Sequence, residues 1–165
     1  MKRFICTILS VSFLGPQLVF SQAVPNCKLK DERVERPIAE KTLQLQGAEY
    51  CQFRRYNSIN DIDEDGKDDF VVIYTVEGVH RSMNHFLQFM LVFLSSKRGS
   101  KPLEIQVGER GKRFIAEIGL VERNKIILGN DVRISGDALC CPSGKGKSVY
   151  EIQNERIVRI AEDGG

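Results

Sequence analysis

The residues best suited to chemistry are the closely spaced aspartates of the segment DIDEDGKDDFVV, which begins at Asp61. Carboxylates occupy the first, third, fifth and ninth positions of this loop, and glycine occupies the sixth: Asp61, Asp63, Asp65, Asp69 and Gly66. A hard cation needs several oxygen ligands that converge on one point, and alternate side chains of a tight loop can supply them. The spacing therefore predicts a calcium site formed by these aspartates, with the backbone carbonyl of Lys67 as a further ligand.

The end of the loop separates it from an EF-hand. Its twelfth position is Val72 rather than a bidentate glutamate, and a strand-like sequence follows where an EF-hand has a helix. We therefore expect a structural calcium ion that binds weakly, with a dissociation constant on the order of 0.1 to 1 mM. The alternative is an acidic turn without metal, because Asp and Gly often build turns between strands. Repulsion between the carboxylates disfavours that alternative wherever calcium is present.

The N-terminal segment predicts the compartment. Residues 1–23 combine a basic start, an apolar run broken by Pro16, and the small residues Ser21 and Ala23, which is the pattern of a secretory signal peptide cut after Ala23. The alternative is an uncleaved membrane anchor, which the short apolar run disfavours. We therefore expect an exported protein, periplasmic or secreted, with no stable membrane insertion after cleavage.

Export changes the interpretation of the cysteines, because an oxidising compartment favours disulfide bonds. Four disulfide candidates follow the predicted cleavage site: Cys27, Cys51, Cys140 and Cys141. Cross-pairing of the first two with the adjacent doublet avoids a strained bond between neighbouring residues. A bond between Cys27 and Cys51 would instead leave a vicinal bridge that is more easily reduced. The sequence leaves both arrangements open.

Short apolar or alternating segments between turn residues dominate the chain from Gly47 onward, and this pattern is typical of antiparallel strands. We predict at most eight strands: Glu49–Tyr56, Phe70–Val76, His85–Ser95, Leu103–Val107, Phe114–Glu122, Lys125–Leu128, Ser148–Gln153 and Ile157–Ile160. Turn residues at 122–124 and 153–155 predict two hairpins. The apolar run FLQFMLVFL would also suit a buried helix, but its Phe and Val content favours a strand. The glycines and lysines of GKGKS, at 144–148, are interpreted as a basic turn.

Three segments are therefore expected: the signal peptide at 1–23, a polar lead-in at 24–46 with at most one short helix after Pro37, and a β-rich domain at 47–165. The expected fold is mainly β, a single compact antiparallel sheet or a sandwich-like domain. Lysine and arginine outnumber aspartate and glutamate by 24 to 22, and Lys2 and Arg3 account for the difference. This balance argues against a nucleic-acid partner.

Two stretches resemble known families. NDIDEDGKDDFVVIY, from Asn60 to Tyr74, resembles the calcium loop and following strand of FG-GAP-type repeats, with Glu64 in place of the usual glycine. The segment GDALCCPSGKGKSVYEI is similar to the C-C-P-[ST] region of a group of bacterial exported proteins of unknown function. This resemblance implies export and one calcium loop in a β-rich domain, but no particular activity.

The chain shows no recognisable catalytic constellation. His80 and His85 are interpreted as solvated side chains, because a zinc site would need a third ligand. Our leading hypothesis is a calcium-stabilised, disulfide-containing module that binds an unknown protein or a component of the cell envelope. The alternative is a redox-active or catalytic exported protein that uses the Cys140–Cys141 doublet.

Overall fold

The computed structural model describes residues 31–51, 54–58, 61–82, 84–97, 99, 101–138 and 141–163. These residues form one α-helix, two short 3₁₀ helices (Val79–Arg81 and, in the turn after β4, Ser95–Lys97) and nine strands. The α-helix and the strands are α1 (Glu32–Gln44), β1 (Ala48–Glu49), β2 (Arg55–Ser58), β3 (Phe70–Glu77), β4 (Phe86–Phe93), β5 (Leu103–Glu109), β6 (Arg113–Glu122), β7 (Lys125–Val132), β8 (Gly144–Gln153) and β9 (Arg156–Asp163). The predicted signal peptide, Cys27 and Cys140 lie outside the described residues.

All nine strands belong to one antiparallel sheet in the order β1-β3-β4-β5-β6-β7-β8-β9, with β2 also paired to β3. The predicted fold class, mainly β with a single antiparallel sheet and one short helix, is confirmed. The apolar run FLQFMLVF forms strand β4, as predicted. Both predicted hairpins are also present, since β6 pairs with β7 and β8 pairs with β9 across short turns.

The main core lies between the two halves of the sheet. These halves are β1–β5 and β6–β9, and the pair of Glu109 with Arg113 joins β5 to β6. Inward-facing side chains of both halves form one buried cluster: Ile62, Val71, Ile73, Met90, Val92, Val107, Val121, Ile126, Leu128, Tyr150 and Ile157. Removing this apolar surface from water is the dominant favourable contribution to the fold.

Helix α1 covers the opposite face of β3 and β4. Its Val34 and Ile38 are buried against alternate residues of the two strands, among them Tyr74 and Leu91. The Asp31 side chain caps the helix by accepting a hydrogen bond from the backbone N–H of Arg33 at 3.0 Å. Because this cap and the burial of Val34 stabilise the first turn, the helix begins at Glu32 rather than after Pro37.

The upper limit of eight strands was wrong. The segment predicted as one strand, Glu49–Tyr56, forms the short strands β1 and β2 on either side of a turn, where the N–H of Arg54 donates to the carbonyl of Cys51 at 3.1 Å. The buried Arg54 guanidinium forms ion pairs with Glu49 of β1 and, at 2.5 Å, with Glu35 of α1. The turn thereby ties the helix to the sheet.

The interpretation of 144–148 as a turn was also wrong, because these residues open strand β8 and pair with the end of β7. Two buried polar side chains lie side by side on these strands, with the Asn130 amide 3.0 Å from the Ser148 hydroxyl. This contact is diagonal, because the register pairs Asn130 with Gly146 and Ser148 with Leu128. It satisfies both buried polar groups and so allows polar, glycine-containing sequence to form regular strand there. Within the described residues, α1 is too short and too polar to cross a membrane.

Candidate functional site

The predicted metal loop connects β2 to β3, and three of its carboxylates converge. One oxygen atom from each of Asp61, Asp63 and Asp65 lies within 4.8 Å of the other two. Among the described residues, this is the one group of three or more His, Cys, Asp or Glu side chains with a geometry that could hold a metal ion. The structure therefore brings together three of the four aspartates that the spacing predicts.

Backbone hydrogen bonds hold the loop in this tight turn. The Asp61 carboxylate accepts the N–H of Asp65 at 2.7 Å and the N–H of Gly66 at 2.6 Å. The Asp65 carboxylate accepts the N–H of Lys67 at 2.8 Å. Gly66 has a φ of 83°, a left-handed conformation that favours glycine. The carboxylate acceptors of Asp61 and Asp65 and the left-handed backbone of Gly66 thus determine the local geometry of the loop.

Asp63 differs from its two neighbours because one of its oxygens is buried without a partner. Its Oδ2 atom accepts a hydrogen bond from the Ser96 hydroxyl at 2.6 Å. Its Oδ1 atom is inaccessible to solvent and has no hydrogen-bond partner among the described residues. A buried carboxylate oxygen in that state is costly, and a bound cation would satisfy it.

Asp69 lies outside the group of three converging carboxylates and accepts backbone hydrogen bonds. Its side chain is 2% exposed, its Oδ1 accepts the N–H of Ser95 at 2.8 Å, and its Oδ2 accepts the N–H of Ile62 at 2.7 Å. Burial raises the pKa of the Asp69 carboxyl, and these N–H donors oppose part of that rise. Asp69 does not belong to the converging group, so a ligand role for it, like one for the carbonyl of Lys67, stays a prediction.

Glu64 occupies the loop position where the resemblance leads one to expect glycine. Its φ is 60°, so the backbone there adopts the left-handed conformation, and its side chain is exposed. A glutamate in this conformation is strained relative to glycine. The departure from the FG-GAP-type pattern therefore costs some local stability but leaves the carboxylates of the loop together.

Two other loops are hydrogen-bonded to the metal loop. In the turn after β4, the Ser95 hydroxyl donates to the carbonyl of Asp68, beside the Ser96 contact to Asp63. In the β6–β7 hairpin, the N–H of Asn124 donates to the carbonyl of Ile62 at 2.6 Å. Sequence reasoning missed all three of these partners because they lie far along the chain from the loop and share no spacing pattern with it.

The turn after β4 also forms part of a cleft of about 850 Å³ between α1 and the sheet. Ser95 lies at one end of this cleft, together with Asp68 and Asp69 of the metal loop. Phe70 and Phe93 contribute apolar surface to it. The metal loop and the cleft thus share a wall.

The cysteine region is held by Asp137. Its carboxylate accepts the N–H groups of Ile134 and Ser143 at 2.9 and 2.8 Å, and the Ser143 hydroxyl at 2.7 Å. These donors lower the pKa of the Asp137 carboxyl. Cys51 and Cys141 each take part in a disulfide bond. The pairing stays a prediction, because Cys27 and Cys140 lie outside the described residues.

The two histidines show no metal-binding arrangement within the described residues. His80 is exposed, and His85 Nε2 lies 3.7 Å from Glu109 Oε1.

The chain matches no protein-family model, no curated protein and no solved structure. The family resemblance consequently stays a prediction that rests on the quoted residues.

Proposed function

We propose that the protein is an exported β-rich module whose fold is stabilised by a calcium ion at Asp61, Asp63 and Asp65. The single observation that carries this proposal is the convergence of one carboxylate oxygen from each of the three residues, one of which, Asp63, also has an oxygen buried without a partner among the described residues. The Lys67 ammonium, 3.5 Å from Asp65 Oδ2, and the backbone N–H donors offset part of the repulsion among these carboxylates, and a bound cation would offset the rest.

The donor set favours calcium over the common transition metals. All three converging side chains offer carboxylate oxygens, whereas zinc and copper sites use histidine or cysteine. Calcium accepts irregular sets of six to eight oxygens, so backbone carbonyls and water can complete a shell around three carboxylates. Magnesium demands a nearly ideal octahedron and gives up its water reluctantly.

Export is part of the same proposal. The predicted signal peptide at 1–23 supports it. A site with the weak affinity expected of this loop would fill only where calcium reaches millimolar concentrations, as it does outside cells. The proposed partner is a protein or a component of the cell envelope. Use of the Cys140–Cys141 doublet in redox chemistry or catalysis stays a prediction.

Calcium-dependent unfolding tests the proposal. With a dissociation constant of about 0.1 to 1 mM, calcium at about 10 mM should stabilise the oxidised protein by about 1.4 to 2.7 kcal/mol. That corresponds to a rise in Tm of about 3 to 10 °C over the value in chelator. Asp63→Asn should abolish this rise, whereas Asp68→Asn should retain it, because Asp68 is exposed and lies outside the converging group.

Ionic strength must be equal in all samples, so that general screening of the acidic loop is not mistaken for binding. An equal Tm with calcium and with chelator in the unmodified protein would refute the proposal. A calcium effect that Asp63→Asn leaves intact would place the ion elsewhere in the protein. Magnesium at the same concentration measures the selectivity.

A further inference from the structure

Ser96 lies in the turn after β4. Among the described residues, it is the side-chain hydrogen-bond donor to the metal loop that lies farthest from the loop in the sequence. Its hydroxyl donates to Asp63 Oδ2 at 2.6 Å, and the two residues are separated by 33 positions in the sequence. Asp63 is also the residue whose second oxygen, Oδ1, is buried without a partner. One oxygen of the Asp63 carboxylate thus has a hydroxyl donor, whereas the other has no hydrogen-bond partner among the described residues.

We propose that Ser96 is a positioning residue for the calcium site and couples ion binding to the turn after β4. This inference rests on the function proposed above. By holding Oδ2, the hydroxyl restricts the rotation of the Asp63 carboxylate and so fixes the positions of both its oxygens relative to the rest of the loop. Partners that orient a ligand in this way raise metal affinity without touching the ion.

Neighbouring contacts attach the same turn to the end of the metal loop. Ser95, next in the chain, donates its N–H to Asp69 and its hydroxyl to the carbonyl of Asp68. An ion that immobilises Asp63 therefore immobilises Ser96 as well, and with it a turn that is already attached to the end of the loop. Because Ser95 lies in the cleft beside α1, the ion also stabilises one wall of that cleft.

Calcium titration by calorimetry on the full, oxidised protein tests the proposal. Ser96→Ala should weaken calcium binding about tenfold, since it frees the Asp63 carboxylate to rotate. Ser96→Thr should restore most of the affinity, because it retains the hydroxyl. The matched control is Ser95→Ala, which removes a hydrogen bond between the same two loops, but one that ends on a backbone carbonyl rather than on a ligand. Its dissociation constant should stay close to that of the unmodified protein.

A second measurement needs no variant. Amide hydrogen exchange of the unmodified protein should show that calcium increases protection both in the 61–69 loop and in the turn at 95–97. Protection confined to the loop would overturn the proposed coupling, and equal calcium affinity in Ser96→Ala and the unmodified protein would overturn the positioning role. In both cases the calcium site itself would stand. Absence of any calcium binding to the unmodified protein would overturn the site and this inference together.

Discussion

A substitution at Asp69 distinguishes the structural role of the loop from its role in metal binding. If its carboxylate serves as a buried hydrogen-bond acceptor, Asp69→Asn should destabilise the protein even when calcium is absent. The amide that replaces the carboxylate has one acceptor oxygen instead of two. It can satisfy either the N–H of Ser95 or the N–H groups of Ile62 and Asp63, and its NH₂ group must then face the remaining donor.

The magnitude follows from those contacts. A hydrogen bond to a charged acceptor contributes about 1.5 to 3 kcal/mol, and a buried donor left unsatisfied costs about 1 to 3 kcal/mol. Part of this loss is offset, because the neutral amide avoids the desolvation penalty that raises the pKa of the Asp69 carboxyl. We therefore expect Asp69→Asn to lower the free energy of unfolding by about 2 to 4 kcal/mol.

Urea unfolding in excess chelator measures this loss, with Asp68→Asn as the control for the change of charge. The urea midpoint of this control should be close to that of the unmodified protein, because Asp68 is exposed. Equal stability of the two variants in chelator would refute the reasoning. If Asp69→Asn were silent in chelator but abolished the calcium effect, Asp69 would be a metal ligand, as the spacing alone predicts.

Two further predictions concern single side chains. Glu64→Gly should raise the free energy of unfolding by about 0.5 to 1 kcal/mol, because glycine relieves the left-handed conformation at φ 60°; an unchanged urea midpoint in chelator would contradict this. The pKa of Asp137 is lowered in the folded state from its ordinary value of 3.8, so its contribution to stability should be complete above that value and be lost as the pH falls below it. Denaturant titrations between about pH 6 and pH 3 should therefore show a shallower loss of stability for Asp137→Asn than for the unmodified protein; parallel curves would contradict this.

The convergence of three aspartates in this loop was predictable because the information for it is local. Asp61, Asp63 and Asp65 alternate within five positions, and Gly66 provides the sharp turn that folds them together. The continuous apolar run Phe70–Val76 likewise predicted strand β3, whose alternate residues face the main core on one side and α1 on the other. Patterns of this kind depend only on the chain geometry of a few neighbouring residues.

What could not be predicted depends on residues far apart in the sequence. The hydroxyl of Ser96 and the N–H of Asn124 reach the loop only after the sheet has formed, and no local pattern marks them. Asn130 lies just beyond the predicted strand Lys125–Leu128, and Ser148 begins the predicted strand Ser148–Gln153. No pattern predicted that both polar side chains would be buried on neighbouring strands beside the Arg113 guanidinium, which donates to Ser148 Oγ at 2.8 Å. Buried polar partners of this kind contradict a purely hydrophobic pattern.

The attachment of the metal loop to two distant turns has a consequence for the order of folding events. Asp63 and Ile62 are joined to Ser96 and Asn124 across 33 and 62 positions of the sequence, so both halves of the sheet must come together before these contacts form. Contacts with such long sequence separation form late. An ion bound at this loop would then leave the folding rate nearly unchanged and slow unfolding instead, because it would stabilise contacts that form only after the transition state.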